Sequence, residues 1–585
     1  MWRINFLTFL LYPSYFRDCR IAQTKCGQYY GNTLTLKTGR VTEYLGIPYA
    51  QPPTDLLRFV EPQPSYCYPW DWKFYFDRPA YSCPQVSMLY NLKNDKNWGK
   101  NIEFNEDCLQ LNIWLPDKPS GSVLVFFHGG LFSKGSGSMD IYNGSVLATL
   151  TNATVVTVNY RLGALGFSFF KNGTWIPGNL GLKDQQFALK WIHQNIKSFY
   201  SDPNKVTIIG EDAGGASITA HLLSSESRKY FKRAIVLSGH MANPWALRDS
   251  RQIEKYTEKL QKLLVCTRAR DKNYVMKCMQ RRQIKDVLKA EKKIYEEEKQ
   301  RIFGAPFVLS NYDRSFFNTN ISDKFNGTPI AFPKNVEFMA GNTNEEGLLY
   351  MMKKYFKNDL LKSNGAGGYY YHINKTYFNQ IFREVTDKIN LTQLQQEKLN
   401  KTYFSKINRR DQVLSRLAAD VLFDCDLDRY SNKLIRARNK SFYAFRFQIK
   451  SPLDIYPWWA GSIHGTPIEY LFGKPFRYPG SYKRSELIYE QKFSSAFIKI
   501  FSDFAYNGSV NKNWTYPKDH EMIERNITFS IIDGYVLLNK RHTLRDECKL
   551  IYKIPLNTTK QIKNKSKTSS NKKKIFMKAE ENFCS

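Results

Sequence analysis

Short apolar runs alternate with a helical pattern in the first half of the chain. Four of these runs end in glycine or in a charged residue, as buried strands do, and they lie at 122–130, 154–161, 205–210 and 233–239. Between the second and third runs, residues 182–196 place their apolar side chains at helical spacing. This alternation predicts the α/β class, with a large, mostly parallel, twisted sheet and helices on both faces.

The second half continues the pattern with longer helical segments. Residues 250–300 are charged and have a helical period, and 485–508 predicts a long helix with Ser485 as its N-cap. Two further runs predict strands, at 338–347 and 441–447. From residue 557 the chain is basic and poor in apolar residues, so we expect 557–585 to be a disordered tail.

The N-terminus and the cysteine content favour an extracytosolic protein. A basic residue at position 3 followed by an apolar stretch predicts a secretory signal over 1–22, with a buried N-terminal segment as the alternative. The chain has 10 cysteines, which suits an oxidising compartment. Glycosylation sequons are frequent and predict a secreted glycoprotein: Asn143, Asn152, Asn172, Asn374, Asn390, Asn400, Asn439, Asn507, Asn526 and Asn557.

The net charge of +33 is compatible with two interpretations. It either marks a surface for anionic partners or reflects a lysine-rich composition spread over solvated faces. In an extracellular setting we expect no nucleic-acid partner, whereas an extracellular protein or a polyanion remains open. No run of apolar residues after the N-terminus is long enough to predict a membrane span.

A strand-like run enters a glycine-flanked turn at "TIIGEDAGGAS", residues 207–217. This is the setting of the G-x-S-x-G turn that carries the nucleophilic serine of esterases and lipases. Here the pattern Gly210-Glu211-Asp212-Ala213-Gly214 has aspartate where that turn has serine. The residue that would carry the chemistry is therefore replaced.

Many segments in the same order resemble the type-B carboxylesterase and cholinesterase family. They include "GRVTEYLGIPYAQPP", "EDCLQLNIWLP", "NYRLGALGF", "DPNKVTIIGEDAGGAS" and "IHGTPIEYLFG", and the resemblance extends from about residue 39 to residue 556. It implies an α/β-hydrolase fold over 23–556 that needs no cofactor and no metal. The chain is identified as a cholinesterase-like member in which Asp212 replaces the nucleophile.

The resemblance also assigns the other site residues. Glu346 in "NEEG" matches the acidic member of the family's triad, with Glu345 as a neighbouring alternative, and His464 in "SIHG" matches the histidine. Backbone N–H groups of Gly130, Leu131 and Ala213 would form the oxyanion hole. Leu131 stands where the family has a smaller residue, so we expect its side chain to obstruct or strain that loop.

The family's disulfides and its ligand site map onto this sequence as well. The resemblance implies three disulfides: Cys83–Cys108, Cys266–Cys278 and Cys425–Cys548. The partners of four further cysteines stay open, namely Cys19, Cys26, Cys67 and Cys584. Trp98 lies 10 residues before Cys108, where cholinesterases have a choline-binding tryptophan, so it implies a quaternary-ammonium or small ester-like ligand. A packing role is the alternative for Trp98. A homodimer through the late helix and Cys584 is a further expectation.

An aspartate at the turn changes the chemistry that the site can carry out. Asp212 has no proton for His464 to remove, and attack on an ester would give an anhydride, so serine-type acyl transfer should fail. The acids at Glu211, Asp212 and Glu346 should also favour a charged His464. We therefore expect a secreted protein that lacks serine-esterase activity and acts by ligand binding or adhesion. One alternative is a hydrolase that uses Asp212 to attack saturated carbon, as haloalkane dehalogenases and epoxide hydrolases do. The other is the carboxylic ester hydrolase that the resemblance implies.

Overall fold

The structure is a computed structural model of the 585-residue chain. It describes 19–86, 103–267, 271–301, 303–317, 319–321, 336–356, 360–363, 369–429, 442–454, 456–510, 530–533 and 545–553. Trp98, Cys584, the first 18 residues and the predicted tail lie outside these ranges. In the part of the chain that is described, no helix is both long and apolar enough to cross a membrane.

Twelve of the described strands form one sheet. In chain order they are β1 (Cys19–Thr24), β2 (Gly27–Leu36), β3 (Gly39–Pro48), β4 (Lys73–Tyr75), β5 (Gln110–Pro116), β6 (Val123–Phe127), β7 (Thr154–Val158), β8 (Val206–Glu211), β9 (Arg233–Leu237), β10 (Glu337–Thr343), β11 (Phe442–Phe447) and β12 (Ser530–Asp533). Their spatial order is β1-β2-β3-β5-β7-β6-β8-β9-β10-β11-β12, with β4 beside β2. Strands β7 to β11 along this order pair in parallel, which confirms the predicted mostly parallel core.

The helices are α1 (Ser145–Thr151), α2 (Gly163–Phe167), α3 (Leu180–Asn195), α4 (Ala213–His221), α5 (Ser250–Leu263), α6 (Lys272–Gln280), α7 (Ile284–Glu298), α8 (Glu346–Lys354), α9 (Lys375–Asp387), α10 (Gln393–Phe404), α11 (Arg410–Ala419), α12 (Thr466–Leu471), α13 (Lys474–Arg477), α14 (Arg484–Asn507) and α15 (Asp546–Ile551). A π-helical turn, Asp420–Asp424, extends α11. Short strand pairs lie at Phe169–Phe170 with Ile176–Pro177, Leu247–Arg248 with Leu309–Ser310, and Leu361–Ser363 with Tyr369–Tyr371. Single 3-10 turns are Asp55–Leu57, Asp140–Tyr142, Ile196–Phe199, Pro203–Lys205, Ser227–Lys229, Trp458–Ala460 and Pro479–Ser481.

The hydrophobic core lies on both faces of the sheet. Successive residues of β6 point to opposite faces, so Val125 joins a core cluster that includes helix α3, while Leu124 joins one that includes α1 and α14. A strand covered on both faces is apolar throughout, and all five residues of β6 are buried. The predicted arrangement of helices on both faces is therefore present.

Most predicted elements have the expected type, and one boundary differs. Helix α14 begins at Arg484, and Lys483 is its N-cap in an extended conformation, so the prediction of Ser485 as N-cap is wrong. Ser485 lies inside the first turn, where its own backbone is helical. Strand β1 contains residues 19–22, which the predicted secretory signal includes. The signal stays a prediction, and cleavage after residue 22 would divide this strand.

Four disulfides join eight of the described cysteines. The three pairs implied by the family resemblance are present, Cys83–Cys108, Cys266–Cys278 and Cys425–Cys548. The fourth, Cys26–Cys67, decides one of the pairings that the sequence left open. Asp420 lies close to the sulfurs of Cys425 and Cys548, but those sulfurs are bonded to each other and form no metal site.

Candidate active site

Asp212 lies on a sharp turn between strand β8 and helix α4. Its backbone has φ 52° and ψ −116°, a conformation that aspartate seldom adopts. The turn is so tight that a side chain on Gly210 would collide with the backbone of Gly214. The two flanking glycines are therefore needed for the backbone to make this turn, whichever residue lies at its centre. Asp212 is the N-cap residue of α4, but its side chain makes no capping hydrogen bond to that helix.

The Asp212 side chain turns toward the loop that follows strand β6. Its Oδ2 atom accepts hydrogen bonds from the backbone N–H of Gly130 at 2.7 Å and of Leu131 at 2.9 Å. These two N–H groups are the ones predicted to form the oxyanion hole. Ala213, the third predicted member, is the first residue of α4, directly after Asp212. The other oxygen, Oδ1, is buried and has no hydrogen-bond partner among the described residues.

The loop that supplies these donors has strained backbone geometry. Leu131 has φ 55° and Phe132 has φ 60°, and both therefore adopt the left-handed conformation that disfavours side chains. Gly130 has φ 114°, where a side chain would collide with the backbone of Lys134. The left-handed Leu131 agrees with the expectation that a leucine here strains the loop.

His464 is held between two glutamates. Its Nδ1 atom lies 2.7 Å from Glu346 Oε2, and its Nε2 atom lies 3.1 Å from Glu211 Oε1. Asp212 Oδ1 is farther from Nε2, at 4.0 Å. The structure thus brings together the four predicted residues, but Glu211 takes the position on Nε2 that a nucleophile would need.

Glu346 is fixed by groups at the carboxyl ends of neighbouring strands. The backbone N–H of Thr343, at the end of β10, donates to Glu346 Oε1 at 2.6 Å, and Ser238, just after β9, helps to lower the pKa of the same carboxyl group. The neighbouring Glu345 turns away and accepts a hydrogen bond from Ser415. This contact decides between the two adjacent acids in favour of Glu346.

The environment of the cluster changes the pKa values of its groups. Burial alone would lower the pKa of His464, but Glu211 and Glu346 raise it well above its ordinary value of 6.5. Burial opposes ionisation of Glu346, yet the histidine charge and the hydrogen bonds lower its pKa. Burial raises the pKa of Glu211 despite the attraction of His464, and Asp212 and Glu346 raise it further. These shifts favour the imidazolium form of His464, in which neither ring nitrogen has a lone pair to act as a base.

Three contributors to this site were not predicted from the sequence. They are Ser238 and Thr343, and Phe423, whose ring centre lies 5.0 Å from that of His464. Phe423 belongs to the π-helical turn that extends α11. Ser238 and Thr343 lie at the carboxyl ends of parallel strands in the same sheet as the strand that leads to Asp212. Their place at the ends of predicted strands could have indicated them as site residues. Trp98, the predicted cation-binding residue, lies outside the described residues.

Comparison with known proteins identifies the family of this chain. The sequence model of the carboxylesterase family matches residues 18–543. The chain belongs to the carboxylesterase family. It is 31% identical over 536 residues to acetylcholinesterase 4 of Caenorhabditis briggsae, covering 87% of this chain and 85% of that protein. It is 31% identical over 503 residues to mouse cholinesterase, covering 84% and 79%, and 31% identical over 511 residues to the acetylcholinesterase of Bungarus fasciatus, covering 85% and 79%.

Proposed function

We propose that this carboxylesterase-family member is a secreted, cholinesterase-like glycoprotein that binds a ligand or an extracellular partner and does not hydrolyse esters by the serine mechanism. The observation that carries the proposal is the position of the Asp212 carboxylate. Its Oδ2 accepts the Gly130 and Leu131 N–H groups, which a substrate carbonyl would need in order to develop negative charge. An ester can use these donors only if the carboxylate leaves them.

The state of His464 supports the same proposal. A serine-type reaction needs a neutral imidazole that takes a proton from the nucleophile and later activates water. The raised pKa of His464 and its contact with Glu211 both oppose that role. In comparable triads, loss of the nucleophile alone costs about a million-fold in rate.

The cluster is better suited to hold a cation than to cleave an ester. Glu211, Asp212 and Glu346 surround a single imidazolium, so the buried floor carries excess negative charge where these carboxyls are ionised. Asp212 Oδ1 adds an acceptor without a partner in the described site. A quaternary ammonium that also contacts Trp98 would gain about 0.5–2 kcal/mol from the ring. We expect binding between micromolar and millimolar, as a few contacts of this size allow.

One observation favours the alternative of an aspartate nucleophile. Carboxylate attack on saturated carbon needs one free oxygen, and Asp212 Oδ1 is not hydrogen-bonded while Oδ2 is held. Hydrolysis of the resulting ester then needs His464 to activate water, but its Nε2 atom is engaged by Glu211. This alternative predicts that Asp212 is alkylated by a reactive alkyl halide and that little product is released.

The extracellular part of the proposal rests on covalent and surface features. Four disulfides suit an oxidising compartment, and this is where we place the protein. Several sequon asparagines are exposed, as glycan attachment requires: Asn152, Asn172, Asn374, Asn390 and Asn507. A homodimer through α14 and Cys584 remains a proposal of the same kind.

Turnover by the purified full-length protein tests the proposal. We expect no hydrolysis of thiocholine or short aryl esters above the solution rate, and no labelling by an organophosphate. Titration with a quaternary ammonium should show saturable binding that weakens in Asp212→Asn and in Trp98→Ala. Ester turnover that is lost in His464→Asn would contradict the absence of catalysis. Equal ammonium binding by Trp98→Ala would contradict only the cation site.

A further inference from the structure

The segment 66–75 presents an unusual number of aromatic side chains to solvent. We call these ten residues the aromatic tip. Trp70 is 68% exposed and Trp72 is 51% exposed, and three tyrosines of the tip are exposed too: Tyr66, Tyr68 and Tyr75. Single exposed apolar side chains are ordinary, but a contiguous group of large rings marks an interaction surface. The tip lies on strand β4 and the chain before it, apart from the Asp212 site.

The rings of the tip are anchored to the hydrophobic core. Tyr68 and Trp72 stack with their centres 5.1 Å apart, and Phe74 follows at 6.4 Å from Trp72. Phe74 contacts the buried Tyr29 of strand β2 at 5.9 Å. A row of rings thus runs from the core to the surface. Side chains held in this way lose little conformational entropy when a partner covers them.

Covalent and backbone bonds hold the tip in place. The Cys26–Cys67 disulfide ties its start to the turn between β1 and β2. The carbonyl of Trp72 accepts from the backbone N–H of Gln28 at 2.7 Å, and the carbonyl of Trp70 accepts from the Gln23 side chain at 3.0 Å. The exposed tryptophans therefore belong to a fixed structure at the edge of the sheet.

We propose that the aromatic tip docks the protein on an anionic phospholipid surface. Tryptophan and tyrosine favour the boundary between lipid headgroups and acyl chains because their rings are apolar with a polar edge. Two exposed lysines flank the rings, Lys25 beside the disulfide and Lys73 inside the tip, and Asp71 is the one acid in the tip. The whole chain carries a net charge of +33, so a negatively charged membrane attracts it. The cations nearest the rings, Lys25 and Lys73, turn the tip toward that membrane.

Two other occupants fit the same surface less well. A second copy of the tip would bring Lys25 and Lys73 against the same two lysines, with Asp71 as the one acid in the tip. A sulfated glycan binds through rows of cations, whereas the tip holds five exposed rings and a single lysine. The excess of rings over cations fits partial insertion into a bilayer, with charge in a supporting role.

Vesicle co-sedimentation of the full-length protein tests the proposal. Vesicles of phosphatidylcholine with phosphatidylserine should bind the protein, and vesicles of phosphatidylcholine alone should bind it more weakly. Trp70→Ala and Trp72→Ala should each weaken binding by about tenfold, as removal of a partly inserted ring predicts. Lys25→Gln with Lys73→Gln should weaken only the anionic preference, by about fivefold for each lysine. Tyr274→Ala and Tyr506→Ala are matched controls, since both tyrosines are exposed elsewhere on the protein, and they should bind as the native protein does.

Three results would overturn the proposal, and each identifies a different reason. Binding that is unchanged in the double variant Trp70→Ala/Trp72→Ala would show that charge alone drives it. Retention on heparin that depends on these tryptophans, without vesicle binding, would assign the tip to a glycan. A dimer that becomes a monomer in the double variant would assign it to self-association. Because both tryptophans are exposed, the variants should keep the native melting temperature, and that measurement verifies folding in every case.

Discussion

The backbone N–H of Gly130 lies 2.7 Å from Oδ2 of Asp212, although 82 residues separate them in the sequence. This contact joins the loop after β6 to the turn after β8, two parallel strands that are neighbours in the sheet. Both the loop and the turn lie at the carboxyl ends of their strands, where α/β proteins place their sites. The Asp212 carboxylate therefore accepts two of the N–H groups that were predicted to form the oxyanion hole.

Replacement of Asp212 by serine should restore some esterase activity. Serine is too short to occupy the Gly130 and Leu131 N–H groups, and Glu346 and His464 stay in place. Asp212→Ser with Leu131→Gly should exceed the single variant, because glycine tolerates the left-handed backbone at position 131. The measurement is turnover of a short aryl ester, with Asp212→Ser/His464→Asn as the inactive control. Two folded variants without activity would show either that the Glu211 contact keeps His464 from acting as a base or that Glu346 or His464 has the wrong role.

His464 should keep both ring protons at neutral pH. Its pKa is raised above 6.5, so the stability that its protonation contributes is present in full below about pH 6.5 and is lost as the pH rises through the folded-state pKa. Nitrogen-15 NMR of the imidazole reports the protonation of each nitrogen directly. Glu211→Gln should lower this pKa, while Glu345→Gln is a control on the neighbouring acid that contacts Ser415 instead. A neutral imidazole in the native protein at pH 7 would contradict the prediction that Glu211 and Glu346 keep His464 protonated.

The Cys26–Cys67 disulfide should contribute measurable stability. It spans 41 residues, compared with 12 for Cys266–Cys278, and longer loops lose more chain entropy in the unfolded state. Conversion of the first pair to alanine should cost about 1 kcal/mol more than conversion of the second pair, within the range of about 2–4 kcal/mol for such bonds. Urea unfolding of the two double variants gives this comparison. The opposite order would show that strain or residual structure in the unfolded state dominates.

The buried pair of Arg161 and Asp184 should be critical for folding. Arg161 Nη2 lies 2.6 Å from Asp184 Oδ1 and its Nε lies 2.8 Å from Oδ2, and the two side chains are 2% and 0% exposed. Asp184→Asn would leave a buried guanidinium without its charge partner, at a cost of about 3–5 kcal/mol. Asp503→Asn breaks a surface pair with Lys499 and should change stability little. Thermal unfolding followed by circular dichroism compares the two, and equal losses would contradict this account.

The strands and helices were predictable where pattern and burial coincide. All five residues of β6 and of β7 are buried, and their apolar runs predicted strands at those positions. The resemblance also predicted Asp212, Glu346 and His464 as site residues, and His464 lies 2.7 Å from Glu346 and 4.0 Å from Asp212. It could not predict which way the Asp212 carboxylate turns, because that depends on a loop 82 residues away. The Cys26–Cys67 bond depends in the same way on how β4 pairs with β2, which no local pattern specifies.

The hydrogen bonds that Asp212 accepts have a consequence for stability when serine takes its place. Two charge-assisted hydrogen bonds to Asp212 satisfy backbone donors that a serine would leave to solvent, and each such bond contributes about 1.5–3 kcal/mol. A variant with serine at position 212 should therefore unfold at a lower temperature than the native protein. At this one position a residue that suits ester hydrolysis and a residue that stabilises the fold exclude each other, and Asp212 is the stabilising choice.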